Sequence, residues 1–246
     1  MLEIINVSKT FQNANGERIP AVSSLDLTVA RNEFVCVVGM SGCGKTTTLR
    51  LVAGLDKPTE GRILVDGRKV NGPTPERCVV FQKYTLFPWR TVRDNVAFGL
   101  EIRRMNRQDR MARVRKYLEL VGLGDYEMSY PFELSGGMQQ RVAVARALAA
   151  EPKILLMDEP FGALDSRTRE ILQNELIGIW CNERKTILFV THSISEAITL
   201  ADRVVVMTRP GRIRRLIDID LPRPRDKNCE RFRKYNAQVR DLLNES

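Results

Sequence analysis

No apolar run in this sequence approaches the ~18–20 residues needed to cross a membrane. The first residues, M-L-E-I-I-N-V-S-K, have no apolar core and meet an acid at Glu3, unlike a secretory leader. The chain is therefore expected to be made and kept in the cytosol. Its five cysteines, Cys36, Cys43, Cys78, Cys181 and Cys229, are odd in number, widely spread and without a C-x-x-C pair. That pattern argues against a disulfide frame or a cysteine zinc site and fits free thiols in a reducing compartment. No internal repeat, low-complexity stretch or sustained heptad is present. Acid is also short: 39 Lys and Arg against 30 Asp and Glu leave a net charge of +9. Much of the excess follows residue 208, in Arg209, Arg212, Arg214, Arg215, Arg223, Arg225, Lys227, Arg231, Arg233 and Lys234. From 209 to 227 no aromatic side chain is interleaved to stack on bases, as in single-strand binders. A solvated basic surface is the favoured reading, and no nucleic-acid partner is expected.

What is present is ordinary for a folded chain: 246 residues, 43% apolar and 28% charged. That length can bury the core of one large domain or of a domain with an insert. Four continuous apolar runs, 34–38, 154–157, 187–190 and 204–207, are bounded by polar or turn residues. Buried parallel strands read this way, and helical patterns lie between them, so an α/β layered core is predicted. Residues 2–7, 18–29 and 62–66 alternate instead, predicting a flanking antiparallel sheet. Residues 91–150 read as a helical insert. There Asn106 can cap a helix bearing Met111, Val114, Leu118 and Val121, which Gly122 can end. A second helix, 139–150, has Val142, Ala145, Leu148 and Ala149 on one face. The expected division is a domain over 1–220 and a basic tail, 221–246, carrying a short surface helix.

Gly39-Met40-Ser41-Gly42-Cys43-Gly44-Lys45-Thr46 fits G-x-x-x-x-G-K-[ST]. It follows the apolar run 34–38 and opens a plausible helix over Thr47–Ala53, which is the context that gives the motif meaning. Backbone N–H groups freed by the glycines, and the helix N-terminus, would cradle phosphate oxygens. Lys45 would reach the β- and γ-phosphates of a nucleotide, and the Thr46 hydroxyl would ligate Mg²⁺. Asp158 and Glu159 end the apolar run 154–157. An acidic pair there suits a helix N-cap or a cation, and beside a P-loop the second is favoured. Asp158 would then hold Mg²⁺ and Glu159 would act as general base on the attacking water. His192 follows a strand at the carboxyl edge, where α/β sheets place ligands, and is read as a γ-phosphate contact. Ser135, Gly136 and Gly137, in L-S-G-G-M-Q-Q-R, look like a second helix start able to hold an anion.

Taken in order, Phe11, G-M-S-G-C-G-K-T, Gln82, L-S-G-G-M-Q-Q-R, I-L-L-M-D-E-P, A-L-D at 163–165 and T-H at 191–192 resemble the nucleotide-binding subunit of ATP-binding cassette transporters. The resemblance covers residues 1 to about 220. It implies a P-loop NTPase core with a parallel sheet, a flanking antiparallel β subdomain and an α-helical insert. It also implies ATP and Mg²⁺ as cofactors, bound between two copies paired head to tail. The P-loop of one copy, Gly39 to Thr47, would face Ser135, Gly136 and Gly137 of the other. Phe11 would stack on adenine, Gln82 would touch Mg²⁺ and water, and Asp165 would cross the pair's interface. His192 matches the switch histidine, followed by Ser193 where aspartate is common.

An importer of this kind needs two transmembrane permease subunits and an external solute-binding protein, which would place the chain on the cytoplasmic face of the membrane. Leu86, Phe87 and Trp89, in Y-T-L-F-P-W, are either the apolar anchor for a permease helix or core. F-Q-K-Y-T-L-F-P-W-R, R-P-G-R at 209–212 and L-P-R-P-R at 221–225 are similar to the nitrate, sulfonate and taurine importers, so a small anion is the expected cargo. A soluble cassette ATPase acting on nucleic acid or ribosomes is the competing reading, with only the basic charge in its favour. A regulatory module without hydrolysis is opposed by intact Lys45, Asp158, Glu159 and His192.

Overall fold

Continuous apolar runs of this chain become fully buried strands, and alternating ones become half-exposed strands. The computed structural model describes residues 1–83, 85–162, 164–183 and 185–244. Tyr84 and Ala163, each in a stretch singled out above, and the last two residues of the basic tail lie outside the described residues. In chain order the elements are β1 (Leu2–Gln12), β2 (Arg18–Val29), β3 (Phe34–Gly39), α1 (Lys45–Ala53), β4 (Glu60–Val65), β5 (Arg68–Lys69), β6 (Arg77–Val80), α2 (Val92–Ile102) and α3 (Arg107–Leu120). There follow α4 (Gly136–Ala149), β7 (Ile154–Asp158), α5 (Ser166–Glu183), β8 (Thr186–Thr191), α6 (Ile194–Leu200), β9 (Arg203–Thr208), β10 (Arg212–Asp218) and α7 (Glu230–Asn244). They form two compact units, one of residues 1–74 with 185–246 and one of residues 75–184. Among the described residues no helix is long and apolar enough to cross a membrane.

In the first unit β2-β1-β4-β5 make an antiparallel sheet, with Ile4 opposite both Leu27 of β2 and Ile63 of β4. Buried Leu25, Leu27 and Val29 alternate with exposed Asp26 and Thr28, as the period of two requires. Strand β1 runs past the predicted end at residue 7 to Gln12 by register shifts, one spanning Asn6 at φ 47°. Phe11 lies on that extension.

The other strands of this unit lie in the order β10-β9-β3-β8. Every residue of β3 is buried, and it runs parallel to both β8 and β9. Val38 sits opposite Thr191, so the P-loop and His192 leave the sheet from the same carboxyl edge. Strand β10 was not legible. Its sequence, R-I-R-R-L-I-D, is too charged to read as buried, and it closes the edge of this unit's strands, where charge is tolerated.

The tail packs through α7, whose Phe232 and Val239, one heptad apart, are buried. Two of its arginines depart from the surface reading. Arg225 is 9% exposed and donates to the carbonyls of Ile198, Ala201, Ile219 and Leu221. Arg223 donates to the Leu200 carbonyl and pairs with Asp202 at 2.8 Å. The last turn of α6 leaves carbonyls without intrahelical partners, and a guanidinium with five donors is suited to collect them. Burial, and then repulsion from Arg223, hold the Arg225 pKa down to about 10.

In the second unit β6 runs parallel to β7, with Cys78 opposite Leu155. Asn106 caps α3 as predicted, accepting from the Asp109 amide at 3.0 Å. Val114, Leu118 and Val121 are buried, as are Val142, Ala145, Leu148 and Ala149 of α4. Thr91 caps α2. Buried Asn95 of α2 accepts from the Phe87 amide and donates to the carbonyls of Phe87, Arg90 and Thr91, fixing the segment that carries Trp89.

Candidate functional site

The loop between β3 and α1 is shaped by what cannot fit there. A Cβ on Gly39 would lie 2.5 Å from both the Cys43 sulfur and the Met207 carbonyl oxygen. Gly44 adopts φ +100°, and a Cβ there would strike the Ala21 carbonyl. Helix α1 begins at Lys45, two residues before the predicted Thr47. Its first turn carries no acid, and among the described residues no side chain caps it. The orphan N–H groups of that turn, with the positive end of the helix dipole, suit an anion. Lys45 is 6% exposed, and its ammonium donates to the carbonyls of Gly39 at 2.7 Å and Met40 at 3.0 Å. Met40, Ser41, Gly42 and Thr46 are exposed, Thr47 is half-buried, and Thr48 donates to the Gly44 carbonyl. Burial pushes the Cys43 thiol up, against the pull of nearby Lys45.

Two further candidates belong to the same unit. His192 is exposed just beyond β8. Ser193 accepts from the Glu196 amide at 3.3 Å and so starts α6, a capping task that serine and aspartate share. Phe11 is 42% exposed, with the Lys9 ammonium 5.0 Å from its ring centre.

The second unit holds the other group. Asp158 is the last residue of β7 and is 5% exposed. Glu159 follows at φ 46°, a left-handed conformation costly for a residue with a Cβ. Its carboxylate accepts from the Gln82 amide at 3.4 Å, so two residues 77 apart in sequence meet. Ser135 caps α4, accepting from the Met138 amide at 3.3 Å, with Gly136 and Gly137 in the first turn. Asp165 accepts from the Thr168 amide at 2.9 Å at the start of α5, and hydrogen bonding from the Thr168 side chain first, then from that amide, holds its carboxyl below the usual range.

The ABC transporter family model matches residues 22–162, more than half of the chain. The chain belongs to the ABC transporter family. This ABC protein is 54% identical over 243 residues to an uncharacterized ABC transporter ATP-binding protein of Methanocaldococcus jannaschii, covering 98% of this chain and 91% of that one. It is 46% identical over 252 residues to the nitrate import ATP-binding protein of Synechocystis sp., covering 98% and 94%. To the aliphatic sulfonates import ATP-binding protein of Bacillus cereus it is 44% identical over 239 residues, covering 97% and 94%. Among solved structures it is similar to a dimeric ATP-binding cassette in a post-hydrolysis state with ADP and phosphate. That likeness has a TM-score of 0.83 at 34% identity and covers 90% of this chain and 100% of that one.

The ABC protein is thus an ATP-hydrolysing cassette. Its P-loop fits a nucleotide's phosphates on its own geometry: a narrow glycine cradle, an uncapped helix start and a buried ammonium. One contact to that loop escaped the sequence reading. Arg209 donates to the Ser41 carbonyl at 2.6 Å, and the only sequence signal for it was the Arg-Pro-Gly-Arg stretch at 209–212.

The open reading of Leu86, Phe87 and Trp89 resolves unevenly. Leu86 and Phe87 are half-buried, whereas Trp89 is 73% exposed. Phe87 packs against Trp89 at 5.7 Å and against Phe98 at 4.7 Å between ring centres.

Proposed function

We propose that this cassette drives an importer of a small anion, with two copies enclosing ATP and Mg²⁺ on the cytoplasmic face of two permease subunits. An external solute-binding protein would deliver the cargo. The observation that carries this reading is the likeness to nitrate and aliphatic sulfonates import ATP-binding proteins along nearly the whole chain. Pairing is supported by the dimeric state of the structural relative.

The residue roles follow from the chemistry each side chain can do. Lys45 offsets phosphate charge at the P-loop. Thr46, Gln82 and Asp158 hold Mg²⁺, which when bound screens the charge of the phosphates. Glu159 takes a proton from the attacking water, and its contact with Gln82 links the base to a metal contact. His192 contacts the γ-phosphate, and Phe11 offers its exposed ring to adenine. Ser135, Gly136 and Gly137 bring a second helix start to the partner copy's nucleotide, and Asp165 steadies that crossing. One helix end cannot surround a triphosphate, whereas two from different chains can.

The permease face is proposed around Trp89. Phe132, 76% exposed, stacks on Tyr130 at 5.6 Å, and Met128 is 57% exposed. Val92 and Arg93, at the start of α2, donate to the carbonyls of Ser129 and Glu127, tying this segment to the helix that follows Trp89. Exposed aromatic anchors on a fixed backbone are what a short apolar helix needs for docking. The engagement of half-buried Arg223 and buried Arg225 weakens the nucleic-acid alternative, because these two charges serve the fold.

Cargo is tested by growth and uptake in a strain lacking this gene and redundant transporters, with nitrate, an aliphatic sulfonate or taurine as sole nitrogen or sulfur source. Loss of uptake of at least one, restored by the wild-type chain and not by Glu159→Gln, is the expected result. Unchanged uptake of all three overturns the cargo reading while leaving the ATPase untouched.

A further inference from the structure

The contact between Arg209 and the P-loop has a geometry that suggests a task. Beyond β9 the chain turns through Arg209-Pro210-Gly211 into β10. The turn is pressed against the backbone that flanks the P-loop. A Cβ on Gly211 would lie 2.5 Å from the Val22 Cα, and the Gly211 Cα is 3.1 Å from where a Gly44 Cβ would stand. From this fixed base the Arg209 guanidinium reaches the Ser41 carbonyl at 2.6 Å. The same nitrogen would be 2.8 Å from a Cβ on Gly42, whose φ is +74°. A side chain at Gly42 would therefore meet the guanidinium as well as backbone strain.

The Ser41 carbonyl and the Gly42 N–H belong to one peptide plane. That peptide is trans, so the two groups point in opposite directions. Holding the oxygen toward Arg209 turns the Gly42 N–H away from Arg209. Lys45 holds the carbonyls of Gly39 and Met40. Three successive P-loop carbonyls are thus engaged by two cations, one from the loop's own helix and one from a turn 168 residues beyond Ser41.

We propose that Arg209 is a positioning residue for polyphosphate binding: it fixes the Ser41–Gly42 peptide so that the loop's N–H groups are preorganised for phosphate oxygens. It acts through the peptide and not by touching the nucleotide. Preorganisation removes an ordering cost from binding, so its loss appears as weaker affinity. The role extends the ATPase assignment to a residue outside the P-loop, the Asp158–Glu159 pair and the Ser135 helix.

Arg209→Met keeps the aliphatic stem and removes the donors, while Arg209→Lys restores a charged donor group. Arg212→Met removes an exposed charge from the first residue of β10 and controls for net charge. Dissociation constants for ATP and ADP are measured by fluorescence titration of the purified full chain. Hydrogen exchange of the P-loop segment is followed in nucleotide-free protein. Arg209→Met should weaken both nucleotides about tenfold, as expected for losing a hydrogen bond from a charged donor. It should also speed P-loop exchange and leave the thermal midpoint unchanged. Arg209→Lys should recover much of the affinity, and Arg212→Met should match the wild type. Wild-type affinity in Arg209→Met would overturn the proposal. So would equal weakening in Arg212→Met, which would mark a general charge effect, or a fall in affinity matched by a lowered midpoint and not rescued by lysine.

Discussion

Glu159→Gln is expected to bind ATP close to the wild-type level and to lose at least about a hundredfold in kcat, the scale of a missing general base. Glutamine keeps the length and shape of the side chain and can still accept from Gln82, now at 3.4 Å from the carboxylate. It cannot accept a proton from water. The left-handed backbone at φ 46° is a constraint that substitution does not relieve, so the amide should occupy the place of the acid. With hydrolysis blocked and binding intact, the protein should collect as an ATP-bound pair on gel filtration. Steady-state turnover and nucleotide affinity check this. Turnover within tenfold of the wild type would remove Glu159 from the role of base.

Lys45→Ala is expected to fail earlier, at binding. The ammonium is buried at the head of α1 and is the one cation drawn from the P-loop motif itself. In the proposed role, its removal deletes a point charge that would offset the γ-phosphate. It also leaves the carbonyls of Gly39 and Met40 without the donor they have now, at 2.7 and 3.0 Å. Two losses therefore coincide, electrostatic and conformational. ATP affinity should fall by about a hundredfold, the effect of about 2.7 kcal/mol, and hydrolysis should be undetectable. Equilibrium titration with ATP and a phosphate-release assay read the two effects separately. Near-normal turnover would mean that the P-loop assignment is wrong.

Most of the layered architecture could be read in advance because burial writes a simple code. Phe34–Val38 and Ile187–Val190 are apolar without a break, and only a strand covered on both faces needs that pattern. Asn106 and Ser135 announced helix starts because short oxygen-bearing side chains satisfy orphan N–H groups there. Strand β10 stayed hidden because an arginine-rich edge strand lacks that code. The buried guanidinium of Arg225 was hidden for a related reason: what makes it tolerable is four carbonyls brought from 198 to 221, and no local pattern reports that gathering. The same holds for the site. A P-loop is contiguous and therefore legible. The meeting of Gln82 with Glu159, and of Arg209 with Ser41, depends on sheet register and on one turn.

The central claim is that each nucleotide is enclosed by the P-loop of one copy and the Ser135 helix of another. The most direct measurement is the ATPase activity of an equimolar mixture of Lys45→Ala and Ser135→Arg chains, each inactive alone. In a mixed pair the intact P-loop of the Ser135→Arg chain meets the intact Ser135 of the Lys45→Ala chain, and the other site carries both lesions. Random pairing makes half of the pairs mixed with one working site of two, so the mixture should recover about a quarter of wild-type activity. A mixture as inactive as its separate components would mean that both elements act within one chain, and the account of a shared site would be wrong.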